Sequence, residues 1–255
     1  MKELVIETVP YSSDNFCYLI HHPPSKVTAL VDCGDAGAVI SRLEKRGWGL
    51  DIILLAHHHY DHTSGAAQLL RSIPGATVYK PEGEERINLP SASVRDGDEI
   101  SFGPLTIEAL RVPAHTRCCT NYYLEGHLFV SDTLFSAGCG RLFEGTAADL
   151  ERAMDRIAAL PPETLVYFGH EYTLNNLDFA LTVEPKNRDT TEYQKRCRAL
   201  RGKGLCTTPT TIGQELRVNP FLRIDHHDVV CFVDPDGVYS RTERIGLLRR
   251  AKDQF

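Results

Sequence analysis

Six consecutive residues, His57-His58-His59-Tyr60-Asp61-His62, offer four imidazoles and one carboxylate. Imidazole nitrogen and carboxylate oxygen are the ligands of zinc and its neighbours in the transition series. The preceding run, Asp51-Ile52-Ile53-Leu54-Leu55-Ala56, is apolar, and Thr63-Ser64-Gly65 follows. That order predicts a buried strand, then a loop, then a helix. A buried strand fixes where its last residue lies, and the loop turns several ligands toward one point. A surface histidine cluster or a tag would not follow such a strand.

One hexapeptide cannot close two metal sites. His115 follows the strand-like Thr106–Leu110, Asp132 ends the apolar run from His127, and His170 ends the run from Leu165. Functional groups at one edge of a sheet can converge. Each also has a plain reading: His115 as a loop residue, Asp132 as a helix cap before Thr133-Leu134, His170 as a strand-end residue.

The order His-x-His-x-Asp-His, then His, Asp and His, resembles the metallo-β-lactamase superfamily. Ser131–Thr146, Gly169–Asn176 and Leu248–Phe255 resemble a narrower group within it, the glyoxalase II (hydroxyacylglutathione hydrolase) family. The resemblance implies an α/β fold: an αββα sandwich over residues 1–170, the catalytic domain, and a smaller α-helical substrate-binding domain over 171–255. It implies two divalent ions, zinc with iron or manganese as alternatives. His57, His59 and His115 would hold one, Asp61, His62 and His170 the other, and Asp132 would bridge them. Spacing agrees: His57 and His59, two apart on an extended chain, can face the same way. Two ions about 3.5–4 Å apart suit a bridging oxygen ligand.

The implied reaction is hydrolysis of S-(2-hydroxyacyl)glutathione. S-D-lactoylglutathione would give D-lactate and glutathione, as in methylglyoxal detoxification. Two cations acidify a bound water toward neutrality and polarise a carbonyl. Asp61 and Asp132 would position the resulting hydroxide. A thiolate leaving group, whose thiol has a pKa of about 8.5, needs no general acid. The chain has no Gly-x-Ser-x-Gly element, which disfavours an acyl-serine route. The same resemblance assigns Arg141, Phe143, Tyr172, Arg249 and Lys252 to the substrate. Arg249 and Lys252 would hold the charged glutathione portion, away from the reacting carbonyl. Without the family, both read as cations that suit a helix C-terminus. Relatives can carry Lys at position 141 and Tyr at 143, and Thr116–Thr120 departs from their Gly- and Ser-rich segment. Those changes bear on affinity and acyl preference. A persulfide dioxygenase, a lactonase, a nuclease or a non-catalytic metal protein could use the same core. The complete ligand set disfavours the last.

Acidic residues number 34 and basic ones 28, a net charge of −6. Phosphate binding needs a basic footprint, so nucleic acid is not an expected partner. No apolar run approaches the roughly 20 residues needed to span a bilayer. The start, Met1-Lys2-Glu3-Leu4-Val5-Ile6, lacks a signal-peptide core. Eight cysteines show no Cys-x-x-Cys pair and fit a reduced, cytoplasmic protein, expected to be a monomer. Cys118 and Cys119 lie near His115 in sequence, yet the nitrogen and oxygen set is complete without them.

The elements follow from periodicity. Phe16–Ile20 and Thr28–Val31 read as a strand pair around Pro23-Pro24. Helices are predicted over 38–46 and 147–160, with Leu150, Met154 and Ile157 on one face. Leu174, Leu177 and Leu181 mark another helix, Tyr193, Cys197 and Leu200 a further one, and 242–252 the last. Asp32, ending Leu30-Val31-Asp32, reads equally as a turn residue or as an acceptor for a ligand's imidazole N–H.

Overall fold

The structure, a computed structural model, describes residues 4–255. Met1-Lys2-Glu3, where the leader reading begins, lies outside them. Two compact units interleave along the chain: the first holds the described residues to Arg111 plus Cys118–Ser131, the second Val112–Arg117 plus Asp132–Phe255.

In the first unit, β1 (Val5–Tyr11), β2 (Asn15–His22) and β3 (Val27–Val31) pair antiparallel. Leu19 lies opposite Leu30, and the turn at Pro23-Pro24 falls where the prolines predict. Helix α1 (Ala36–Arg46) then crosses to β4 (Ile52–Leu54), parallel to β3. Parallel neighbours require such a crossover. Asp35 caps α1 by accepting from the Ala38 N–H. Gly47 ends it in the left-handed region at φ 66°, where glycine carries no Cβ penalty. After α2 (Tyr60–Thr63) and α3 (Ala66–Ser72), β5 (Thr77–Pro81) and β6 (Ala92–Val94) extend the sheet in parallel. Val39, Leu43 and Leu69 from the helices pack on Leu19, Leu30 and Ile53 from the sheet. Burying each such side chain contributes about 1.5–3 kcal/mol. A second, antiparallel run holds β7 (Glu99–Phe102), β8 (Leu105–Arg111), β9 (Thr120–Leu124) and β10 (His127–Ser131). Tyr18 of β2 meets Phe129 of β10, ring centroids 5.7 Å apart.

The second unit opens with a small hairpin, β11 (Leu134–Phe135) and β12 (Gly138–Cys139). Helix α4 (Ala147–Ala158) follows, started by a Thr146/Asp149 capping box. Next come β13 (Leu165–Phe168), α5 (Thr173–Val183), α6 (Arg188–Arg201) and β14 (Thr210–Thr211), which pairs with β13. The chain ends in α7 (Ile212–Val218), α8 (His227–Val233) and α9 (Arg241–Asp253). Leu177, Ala180, Tyr193, Cys197 and Val218 form a helical core that also takes in Ala137 of the hairpin turn. The predicted helices are all present.

Three expectations change. The run from Asp51 is strand only over Ile52–Leu54; at its far end the Ala56 N–H donates to the Asp32 carboxylate rather than to a neighbouring strand. Tyr60–Thr63 is a helical turn rather than loop. Thr133-Leu134 leads into β11, so Asp132 caps no helix. Among the described residues no helix is long and apolar enough to cross a membrane. All eight cysteines are free thiols; Cys231 is exposed, Cys206 half-buried and the others buried.

Candidate functional site

The first unit carries His57, His59, Asp61 and His62 of the predicted ligand set, and the second carries His115, Asp132 and His170. In the first, Asp32 leaves β3 with φ 59°, a left-handed conformation that Asp tolerates better than most side chains. Its Oδ1 accepts from the Ala56 N–H at 2.9 Å, which fixes the chain just before the hexapeptide. Its Oδ2 accepts from the Ser131 hydroxyl at 2.7 Å and from His62 Nδ1 at 3.0 Å. Asp32 is thus the acceptor behind a ligand imidazole, the second of its two sequence readings. Ser131 Oγ also lies 3.4 Å from His57 Nδ1. His57 and His62 are buried, with ring centroids 4.5 Å apart, and the His59 ring is 4.6 Å from His57.

Asp61 is held from both ends. Asn15 donates to its Oδ2 at 3.0 Å, and the Tyr11 hydroxyl donates to its carbonyl at 2.7 Å. The Asp61 carbonyl passes so close to Gly34 that a Cβ there would lie 2.0 Å from it, so only glycine fits. The spacers differ: His58 pairs with the buried Glu84 at 3.3 Å, whereas Tyr60 is 82% exposed and packs little.

In the second unit, Asp132 Oδ2 lies 3.6 Å from His115 Nε2 and 3.3 Å from His170 Nε2. His115 Nδ1 donates to the Arg141 carbonyl at 2.9 Å. His170 stacks on Tyr172, centroids 4.8 Å apart and planes 7° apart, with Phe135 edge-on. The Phe143 ring stands edge-on to His115 at 5.2 Å, and its N–H donates to the His115 carbonyl. Gly140 sits where a Cβ would be 1.9 Å from the Asp132 carbonyl, and at Gly145 one would be 2.3 Å from the Ala114 carbonyl.

These halves fit a metal. A carbonyl or carboxylate partner on Nδ1 makes that nitrogen the proton donor, so neutral His62 and His115 each turn a lone pair outward at Nε2. Each lone pair faces a carboxylate oxygen at 3.6 Å, Asp61 for His62 and Asp132 for His115. Two acceptors in that relation repel unless a cation lies between them. All-nitrogen-and-oxygen donors suit divalent zinc, iron or manganese. Cys118 receives a 3.8 Å contact from Arg111 and is in none of the ligand groupings of the described residues.

The predicted substrate residues are all in the second unit. Arg141 and Phe143 are exposed and Tyr172 is partly so. Lys252 donates to Asn175 and lies over the Phe179 and Phe255 rings. Burial, helped by the Arg249 charge, pulls its pKa down to about 8. Arg249 is only 4% exposed, unlike a solvated helix end. It donates to the Cys139 carbonyl at 2.7 Å and to Asp253 at 3.2 Å, while its Nε–H has no partner among the described residues. Sequence reasoning missed Ser131, Asn15 and Tyr11, for which no local pattern exists. It also missed that Arg249 grips the hairpin, so loss of Arg249 would disturb more than substrate affinity.

The chain matches the metallo-beta-lactamase superfamily over residues 13–170 and the hydroxyacylglutathione hydrolase C-terminus over 171–255. It is 41% identical to a hydroxyacylglutathione hydrolase of Photobacterium profundum, over 99% of this chain and 100% of that one. It is 39% identical to one from Maricaulis maris, over the full length of both. Among solved structures, ETHE1 from Myxococcus xanthus superposes with a TM-score of 0.67 at 24% identity, covering 97% of each chain, a likeness of fold.

Proposed function

The chain belongs to the hydroxyacylglutathione hydrolase family of the metallo-β-lactamase superfamily, and on that premise we propose that it hydrolyses S-(2-hydroxyacyl)glutathiones. S-D-lactoylglutathione would yield D-lactate and glutathione. The observation that carries this reading is the match of the helical part, residues 171–255, which sets the chain apart from superfamily members that share only the metal-binding part.

Residues 1–170 then serve as the catalytic domain and 171–255 as the substrate-binding one. His57, His59 and His115 hold one divalent ion, Asp61, His62 and His170 a second, and Asp132 bridges them. The approach of one Asp132 oxygen to both His115 and His170 supports the bridge. Zinc is the first choice, with iron or manganese as alternatives. When bound, the ions supply an acidified water and an electrophile for the thioester carbonyl. Asp61, steadied by Asn15 and Tyr11, and Asp132 position the attacking oxygen. The thiolate leaves without a protein acid. Arg141, Phe143 and Tyr172 line the substrate pocket, and Arg249 and Lys252 receive the charged glutathione portion. A cytoplasmic monomer acting on a small molecule, with neither nucleic acid nor membrane, completes the reading.

Two measurements test it together. Protein prepared without chelator should contain two divalent ions per chain by elemental analysis, and it should bleach the thioester absorbance of S-lactoylglutathione. Metal-replete protein that leaves thioesters intact but consumes oxygen with glutathione persulfide would be a dioxygenase instead.

Lys252 gives a finer test, because it touches no hairpin carbonyl. A charge-assisted hydrogen bond contributes about 1.5–3 kcal/mol. A contact remote from the reacting carbonyl is equally strong before and during attack, so its loss raises KM and spares kcat. Lys252→Ala should therefore raise KM by roughly tenfold or more at pH 7. Lys252 is cationic below about 8 and neutral above it. Affinity for an anion is thus present at low pH and lost as pH rises through that value. The kcat/KM profile, which reports the free enzyme, should fall above pH 8 in the parent. In Lys252→Ala that limb should be missing; a limb that survives unchanged removes Lys252 from the substrate.

A further inference from the structure

A ten-residue strap, from Asp132 to Arg141, joins the two functional ends of the second unit. Asp132 opens it. Arg141 closes it with the carbonyl that accepts from His115 Nδ1. The strap doubles back through β11 and β12, and the Gly140 N–H returns to the Thr133 carbonyl at 3.3 Å. A hairpin with two residues per strand has no stability of its own. Its turn also holds Ala137 at φ 56°, in the left-handed region. Something outside the strap must impose this shape.

That something is a buried carboxylate on α7. Glu215 is 0% exposed. Its Oε1 accepts from the Ser136 hydroxyl at 2.9 Å and the Thr210 hydroxyl at 2.8 Å. Its Oε2 accepts from the Ala137 N–H at 2.7 Å and from Asn219 Nδ2 at 3.0 Å. Asn219 Nδ2, one turn later, also lies 3.2 Å from the Phe135 carbonyl and 3.0 Å from the Gly138 carbonyl, on either side of the hairpin turn, and its two hydrogens are shared among these and Glu215. Burial pushes the Glu215 carboxyl up, and the four donors act against that. Four donors meet the carboxyl group, two at each oxygen, so both oxygens are held in place. Nothing in the chemistry described above uses this group, yet it is among the most fully satisfied carboxylates of the chain.

We propose that Glu215 is a positioning residue: it locks the turn of the Asp132–Arg141 strap and thereby sets the metal-facing geometry of Asp132 and His115. The helical part, on this view, shapes the metal centre as well as receiving substrate. The inference rests on the assignment of Asp132 and His115 as ligands.

Metal release and a visible spectrum test it, both read without substrate. Glu215→Leu keeps the bulk and removes every acceptor. Glu215→Gln keeps the frame, because its carbonyl can serve Ala137 and Asn219 while the Ser136 and Thr210 hydroxyls turn to accept from its amide. Gly47→Ala is the control for general weakening: it puts a Cβ on the left-handed C-cap of α1, an element that belongs to the other unit. Each variant is loaded with cobalt, its d–d spectrum recorded, and its metal withdrawn by a chelator.

Glu215→Leu should lose cobalt about tenfold faster or more, the scale for an orienting partner, and its spectrum should change. Glu215→Gln should restore both to near the parent. Gly47→Ala should match the parent in both while melting lower. If Glu215→Leu does not fold, Ser136→Ala decides: loss of one of the four donors should speed release by about threefold, a fraction of the full effect. An unchanged spectrum and release rate in the folded variant overturn the proposal. So does failure of Gln to restore them, or an equal change in Gly47→Ala. A parent protein inactive on thioesters would defeat the function proposed above and leave this result standing.

Discussion

Asp132→Ala should lose both ions and essentially all thioester hydrolysis, while His115→Ala should chiefly weaken one ion. The asymmetry follows from geometry. One Asp132 oxygen approaches His115 Nε2 and His170 Nε2, which are assigned to different ions, whereas His115 faces Asp132 alone in this pair of contacts. Loss of a mere orienting partner costs 10–100-fold in metal affinity or activity. A residue serving two ions compounds that, so kcat should fall by on the order of 10³-fold or more. Asp132 is buried, so its removal also takes away the carboxylate that would offset part of the charge of both ions. Elemental analysis alongside kcat separates the cases. An Asp132→Ala protein that still carries two ions per chain would end the bridging assignment.

The second large effect belongs to a residue that touches no substrate. Asp32→Ala strands three donors at once: the Ala56 N–H, the Ser131 hydroxyl and His62 Nδ1. Each buried donor left unsatisfied costs about 1–3 kcal/mol, so a stability loss of roughly 3 kcal/mol or more is expected. Alanine also fits φ 59° less well than aspartate does. Asp32→Asn is the informative companion. It keeps the backbone preference and one good acceptor, so the melting temperature should recover in part. Its amide nitrogen, however, faces donors, and His62 loses the anion that orients it and raises its basicity. Metal affinity should therefore remain 10–100-fold down. An asparagine variant with parental metal affinity would show that Asp32 supports the fold and nothing more.

How much of this was legible beforehand depended on range. The hexapeptide and the strand-end positions of Asp132 and His170 could be read because apolar runs and ligand types are local patterns. The helix around Leu174, Leu177 and Leu181 and the last helix were legible for the same reason. Helices α7 and α8 were not: seven residues each are too few to show a stripe. Asp32 remained ambiguous because its partner, His62, is 30 residues away. Ser131 and Asn15 had no signal at all, since their roles come from sheet register. Arg249 looked like a solvated helix end because sequence does not show that the Cys139 carbonyl lies above it. Glu215 is the extreme case: a glutamate in a short helix looks like surface until the fold closes around it.

The loop from Gly140 to Gly145 carries a consequence for how enzymes of this build can diversify. It is pinned at Gly140 against the Asp132 carbonyl, at Phe143 by the His115 carbonyl and at Gly145 against Ala114. An inserted or deleted residue would shift all three pins and drag the metal-facing groups with them. New acyl preferences must therefore arise by point replacement at the two outward side chains, Arg141 and Phe143, the latter 61% exposed. Replacing either side chain leaves the three pins in place, whereas changing the length of the segment moves all of them.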